Sequence, residues 1–281
     1  MSDTVLTSRL SFSGYLVCLG GIAHREMLRF VNQKERFLSA LVRPLIWLFI
    51  FAAGFRNVLG VSIQPPYETY VLYETYVVPG LAVMIQLFYG MQSSLSMVYD
   101  REVGSMRVLL TSPFPRWSLL AAKLMASVLV SVLQVYVFLA IAAWWDVDAP
   151  VQGYVLALPA LVLTGLMLGS IGLFLSSLIR QLENFASVMN FVIFPMFFAS
   201  SALYPLWRIR EASEGLYLTC LANPFTHGVE LVRFALYGRL EPVALAVVVG
   251  TTVLFFAAAL IAYDPSRGLM VRRGGPKGEA S

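Results

Sequence analysis

The chain has 281 residues, of which 58% are hydrophobic and 13% charged, with a mean hydropathy of +0.74 and a formal net charge of +4. Soluble domains carry roughly 45–50% apolar and about 25% charged residues, so an ordinary water-soluble fold is excluded and the bilayer is the expected solvent. Two Cys and two His offer no disulfide framework and no metal site, and membrane-flanking Lys and Arg account for the pI of 9.1 without any nucleic-acid partner.

Residues 1–37 read as a cytoplasmic N-terminus. The stretch 12–23 is apolar but short, interrupted by Gly14, Gly20 and Gly21 and preceded only by Arg9. It lacks the basic start and clear cleavage site of a secretory signal. Met27, Phe30, Val31, Phe37 and Leu38 then recur at helical spacing, with Arg25, Arg29, Lys34 and Arg36 on the polar side. That pattern predicts a helix lying in the membrane interface, the plainer alternative being a basic flank.

Six apolar runs follow, at 38–56, 76–98, 118–145, 153–179, 184–206 and 243–263. About 20 residues suffice to span the hydrocarbon core as a helix. Lipid offers no partner to a free backbone amide, so these spans must be helical. A β-barrel would need short alternating segments, which the run ALAVVVGTTVLFFAAALIAY does not supply. The predicted fold is an all-α membrane protein with one six-span domain over 38–263, a cytoplasmic loop at 99–117, an outer loop at 207–242 and a cytoplasmic tail at 264–281.

With both termini inside, fifteen of the 20 Lys and Arg, Arg43 among them, fall on the cytoplasmic side, leaving Arg56, Arg208, Arg210, Arg233 and Arg239 outside. The outer loops carry Glu68, Glu74, Asp146 and Asp148 instead. This bias predicts an N-in, C-in topology. It puts Cys18 and Cys220 on opposite sides, unable to pair within one chain.

Between the second and third spans lies YDREVGSMRVLLTSPFPRWSLLAAK. Asp100, Arg101 and Glu102 follow directly on the second span, and Val103, Met106 and Leu110 give a short helix an apolar stripe. Thr111, Ser112, Pro113 and Pro115 then stop that helix. A simple polar turn between helices needs only about two to eight residues, so the longer patterned segment points to a docking surface for a cytoplasmic partner.

This segment, with VPGL at residues 78–81 before it, resembles the permease subunits of type-2 ABC exporters. In that family the second span opens on Pro-Gly and is followed by a D-R-E-x-G…L-L-x-[ST]-P…K signature. SSALYPL at 200–206 is similar to the family's element ending the fifth span, and ANPFTHGVELVRFALYG at 222–238 to its N-P…R segment before the sixth. The resemblance implies a homodimer or pseudo-dimer, each half docked on a cytoplasmic ATP-hydrolysing subunit in a bacterial inner membrane.

Carried onto this chain, Asp100, Arg101, Glu102, Gly104, Leu109, Leu110 and Pro113 would form the coupling element, with Arg25, Arg29 and Arg36 beside it. As individual charges, Arg101 and Glu102 also read as a solvated pair of little energetic weight. The chain has no G-x-x-x-x-G-K-[ST] loop, so ATP and Mg are expected on the partner, with no cofactor bound here.

In relatives the second and fifth spans line the central cleft. That implies a path of Met84, Phe88, Met91, Phe191, Phe194 and Phe198, suited to hydrophobic or amphipathic cargo. Lipid-facing or helix-packing roles are the alternative. Gln86, Gln92 and Asn190 are better pointers, because an amide at membrane depth usually faces protein or a cavity.

Glu230 and Arg233, after Pro224, read with Tyr204 and Pro205 either as an outer gate like the family's or as a plain surface ion pair. His227 reads as a loop histidine. Two other functions compete: an anchor recruiting an ATPase without transport, and an intramembrane enzyme. The second lacks a G-x-S-x-G elbow, an H-E-x-x-H motif and paired carboxylates within a span. Export of a hydrophobic or amphipathic small molecule, lipid or glycan is implied by the resemblance alone, as is contact with membrane lipids.

Overall fold

The computed structural model describes residues 12–32, 34–52, 54, 60–61, 65–102, 115–145, 149–179 and 181–262. The chain begins with α1, Phe12–Asn32, and α2, Lys34–Ile46. Proline lacks the N–H that an interior helical position donates. Pro44 sits inside α2, and the helix passes into a wider π-helical turn at Trp47–Ala52. A small antiparallel pair, Gly60–Val61 with Val71–Leu72, leads into α3, Tyr73–Glu102.

Two long hydrophobic helices follow, α4 at Arg116–Trp144 and α5 at Val151–Leu178. Trp117 is exposed at one end of α4, as are Trp144 and Trp145 at the other. The 27-residue separation of Trp117 and Trp144 corresponds to about 40 Å of helix, close to the bilayer with its interfacial layers, where such indole rings settle.

Next come α6, Leu182–Phe198, and three shorter helices, α7 at Leu206–Ala212, α8 at Glu214–Ala222 and α9 at Pro224–Leu236. The last is α10, Pro242–Ala262, which turns Val243, Val253, Leu254 and Ile261 outward.

Among the described residues, four helices are long and apolar enough to cross a membrane: Tyr73–Tyr99, Trp117–Trp144, Val151–Leu178 and Pro242–Ala262. Ala40–Ile50 and Ser187–Phe198 are shorter apolar stretches. The run expected at 184–206 therefore contains a helix that stops at Phe198 and a turn at 199–205. Hydropathy misses that stop because Ala199, Ala202, Leu203 and Leu206 extend the apolar count beyond Pro195 and the helix end.

At the centre lies α5, against α3, α4, α9 and α10. Its buried residues include Gly153, Ala157, Ala160, Gly165, Gly169 and Ser170. In lipid, helix association relies on close van der Waals fit, and small residues let backbones approach. Gly153 shows how tight the fit is: a Cβ there would sit 1.8 Å from the Leu236 carbonyl oxygen of α9. Along the other flank, α1 packs on α4.

Candidate functional site

The expected outer-gate residues converge around the start of α9. Asn223 caps this helix, its Oδ1 accepting from the Phe225 N–H at 3.0 Å, and Pro224 occupies the first turn, where no donor is needed. The Asn223 amide also donates to the carbonyls of Met196 and Ala199, both at 2.7 Å. Terminal carbonyls of a helix have no partner within it. Asn223 supplies one from a different helix and so ties α9 to the end of α6.

Two turns further along α9, Glu230 and Arg233 pair at i,i+3. Arg233 is 2% exposed, so the alternative of a plain surface ion pair does not describe it. Its Nη1 donates to Glu230, its Nη2 donates to the Ser201 carbonyl at 2.8 Å, and its guanidinium carbon lies 4.1 Å from the centre of the Tyr76 ring. The Tyr76 hydroxyl donates to the same Ser201 carbonyl at 2.9 Å. Burying a cation is tolerated only with such compensation, here a carboxylate, a carbonyl and an aromatic face.

Tyr67 closes the cluster, edge-on to Tyr237 at 4.9 Å and tilted against Tyr76 at 6.3 Å. Burial pushes the Tyr67 phenol well above its ordinary value, an effect the Arg233 charge opposes, and pushes the Tyr237 phenol up to about 12.

Gly80, one turn beyond Tyr76 on α3, completes the arrangement. A Cβ at Gly80 would sit 2.7 Å from the backbone of Ala202, so the missing side chain is what admits the turn. The VPGL, SSALYPL and N-P…R elements are thus three sides of one cluster. Pro205 is buried beside the turn and Tyr204 is half exposed.

Asn223 enters the sequence reading only as the first residue of the N-P…R segment, without a role of its own, and Tyr76 and Ser201 do not enter it individually: a tyrosine at the start of an apolar run and a serine acting through its carbonyl give no signal. His227 is not a loop histidine: it lies in the first turns of α9, its Nε2 donating to the Leu221 carbonyl at 2.9 Å.

The expected path residues divide into three groups. Gln86 and Met91 lie inside the bundle, Gln86 donating to the Leu161 carbonyl of α5 at 2.8 Å. Phe191, Phe194 and Phe198 are exposed along one face of α6, with Phe194 and Phe198 stacked at 6.2 Å. Met84, Phe88 and Asn190 line a cleft of about 180 Å³ between α2, α3 and α6.

Tyr89, Gln92, Met189 and Arg43 also line that cleft, and the Arg43 guanidinium carbon lies 3.9 Å from the centre of the Phe88 ring. The charge count over flanking segments puts Arg43 with the cytoplasmic basic residues. An isolated arginine in SALVRPLIWLF was the overlooked signal.

Asp100, Arg101 and Glu102 are the last three residues of α3. Gly104, Leu109, Leu110 and Pro113 lie outside the described residues, as do the side chains of Asp100, Arg101, Glu102 and Arg29. Arg25 is exposed on α1. Among the described residues, no group of three or more His, Cys, Asp or Glu is arranged to hold a metal ion.

The family model described as ABC-2 type transporter matches residues 19–237. A chain from Cyanophora paradoxa that carries the name transport permease ycf38 is 25% identical over 213 residues, 73% of this chain and 70% of that one. A chain from Escherichia coli K12 that carries the name multidrug ABC transporter permease YbhR is 32% identical over 164 residues, 57% of this chain and 43% of that one.

Proposed function

This chain belongs to the ABC-2 type transporter family, as a permease, and from that premise we propose that it is the membrane half of an ATP-driven exporter, working as a homodimer of six-span chains. A separate cytoplasmic ABC ATPase docks on the segment after α3 and supplies the energy, with ATP and Mg bound there. The cargo is a hydrophobic or amphipathic small molecule, lipid or glycan, moved outward across a bacterial inner membrane with both termini of the permease inside.

The observation that carries this reading is α3 itself. A single helix of 30 residues, about 45 Å long, runs from the Tyr76–Arg233 cluster at one end to Asp100, Arg101 and Glu102 at the other. A rod of that length can convert a push at the cytoplasmic end into a displacement of the outer cluster, the kind of rigid-element shift by which transporters alternate access. Glu230, Arg233, Tyr204, Pro205 and Pro224 then act as the outer gate, held shut by the buried pair and by Asn223. Asp100, Arg101, Glu102, Gly104, Leu109, Leu110 and Pro113, with Arg25 and Arg29, act in coupling.

The direct experiment is mild-detergent purification of the tagged chain from its native membrane, followed by mass spectrometry. A roughly equimolar nucleotide-binding subunit, lost when Arg101 and Glu102 are replaced, supports the reading. Its absence under conditions that retain other membrane complexes would leave the chain without an energy source and sink it. An ATPase that binds but is never stimulated by cargo would favour the anchor alternative.

A further inference from the structure

The cleft between α2, α3 and α6 holds a cation in an unusual place. Phe88 is the sixteenth of 30 residues in α3 and Asn190 the ninth of 17 in α6, so the wall that receives the Arg43 guanidinium sits at the middle of both helices. An arginine near a helix end ordinarily extends toward the nearer interface. Arg43 instead lays its guanidinium over Phe88, and among the described residues no carboxylate pairs with it. Arg43 is exposed on the bundle, so its level along α3 and α6 rather than burial sets the cost: in lipid a ring face offsets only part of what a charge loses on leaving water.

We propose that this cleft takes the anionic head group of an amphiphile, with Arg43 as its counter-ion and the Gln92 and Asn190 amides as supporting hydrogen-bond groups. The volume fits a head group and little more. At about 180 Å³ the cleft is smaller than the about 300–1,000 Å³ of pockets that enclose a whole drug-sized ligand. The tail stays outside, where α2 exposes Val42 and Ile46 and α6 exposes Phe191, Phe194 and Phe198. An amphiphile reaches such a depth by lateral diffusion, while a free ion would have to shed its hydration first.

The inference deepens the permease reading, on which the amphiphile's role as cargo rests. Binding itself is measured on the permease alone.

The test compares dodecyl phosphate with dodecanol, equal in tail and different in charge, on the protein in phosphatidylcholine nanodiscs, with affinities read by native mass spectrometry. A charge-assisted hydrogen bond predicts a preference of at least about tenfold for dodecyl phosphate. Arg43→Gln reduces that preference to within about twofold, and Arg43→Lys retains most of it. Equal affinities in the unsubstituted protein, or a preference that survives Arg43→Gln, overturn the proposal.

Inorganic phosphate displacing dodecyl phosphate at equal concentration would make the site one for small anions and overturn the assignment to an amphiphile. A dimer that falls apart on Arg43→Gln, with no head-group preference beforehand, would instead give Arg43 to a carboxylate of the second copy. If Arg43→Gln does not insert, the head-group comparison on the unsubstituted protein decides. Absence of the preference in the unsubstituted protein while the ATPase still co-purifies defeats this inference alone; no ATPase with the preference present defeats only the permease reading.

Discussion

Arg233 and Tyr76 donate to one carbonyl oxygen, that of Ser201, at 2.8 and 2.9 Å, while the guanidinium lies against the tyrosine ring. Each side chain therefore holds the other in place, and together they join α3, the turn after α6, and α9. Stripping a buried charge of its partner costs about 3–5 kcal/mol, against at most about 1 kcal/mol for an exposed pair.

Arg233→Ala and Glu230→Ala are expected to lower the thermal unfolding midpoint in detergent by the larger amount. Tyr76→Phe, which keeps the ring and loses one hydrogen bond, should cost about 1 kcal/mol, and Tyr76→Leu clearly more. Midpoints that all stay within the range of an exposed pair would mean that the cluster does not hold these elements together.

Asn223 gives a sharper discrimination, because Asp caps a helix about as well as Asn. An aspartate cannot donate, however, and would aim its charge at the Met196 and Ala199 carbonyls that the amide now satisfies. Asn223→Asp should therefore destabilise by about 2–3 kcal/mol, comparably to or more than Asn223→Ala. Near-wild-type melting of Asn223→Asp would reduce the residue to an ordinary cap.

How much of this was readable beforehand depends on the physics behind each residue. The helices at 73–102, 116–144, 151–178 and 242–262 follow from unbroken apolar runs, which only helices can satisfy in lipid. The Glu230–Arg233 spacing announced an ion pair, but its burial depends on Tyr76, more than 150 residues away in sequence. Arg43 was assigned by counting charges per segment. The direction its side chain takes, toward Phe88 or toward water, is a tertiary choice that no charge count contains.

The contact between Gly153 and Leu236 makes a stability prediction with a built-in control. A methyl at Gly153 meets a carbonyl oxygen at 1.8 Å, and because that oxygen is backbone no rotamer change relieves the overlap. Gly153→Ala should cost about 1–3 kcal/mol as α5 and α9 are forced apart. Gly250→Ala, on a face of α10 with nothing within 4 Å of the added carbon, should not lower the melting midpoint and can raise it slightly, because alanine is the better helix former. Equal behaviour of the two variants would refute the close approach of α5 and α9.

Alkaline pH probes the aromatic side of the cluster. With the Tyr237 phenol raised by burial to about 12, from about 10 in an unfolded chain, the folded state holds the proton more tightly. The stability that this contributes is fully present below about pH 10 and is lost as pH rises toward 12. Tyr237→Phe, which has no proton to lose, should show a shallower decline over that interval in detergent melts. Parallel curves for the two proteins would place Tyr237 in water.

The Glu102 end of α3 carries the remaining prediction, because the helix that holds Tyr76 against Arg233 also carries Asp100, Arg101 and Glu102. Glu102 is the last residue of that helix, remote from the Arg233 cluster and from the α3–α5 contact at Gln86. Glu102→Ala should therefore insert and melt like the unsubstituted chain. If the segment after α3 transmits the ATPase stroke, the same variant should hydrolyse ATP without cargo stimulation in proteoliposomes and transport nothing. Arg233→Ala should do the opposite, melting early while still retaining the ATPase. Both defects appearing together in Glu102→Ala would mean that the helix end serves folding, whereas normal transport at normal expression would remove Glu102 from the coupling element and leave its neighbours Asp100 and Arg101 to be tested in the same way.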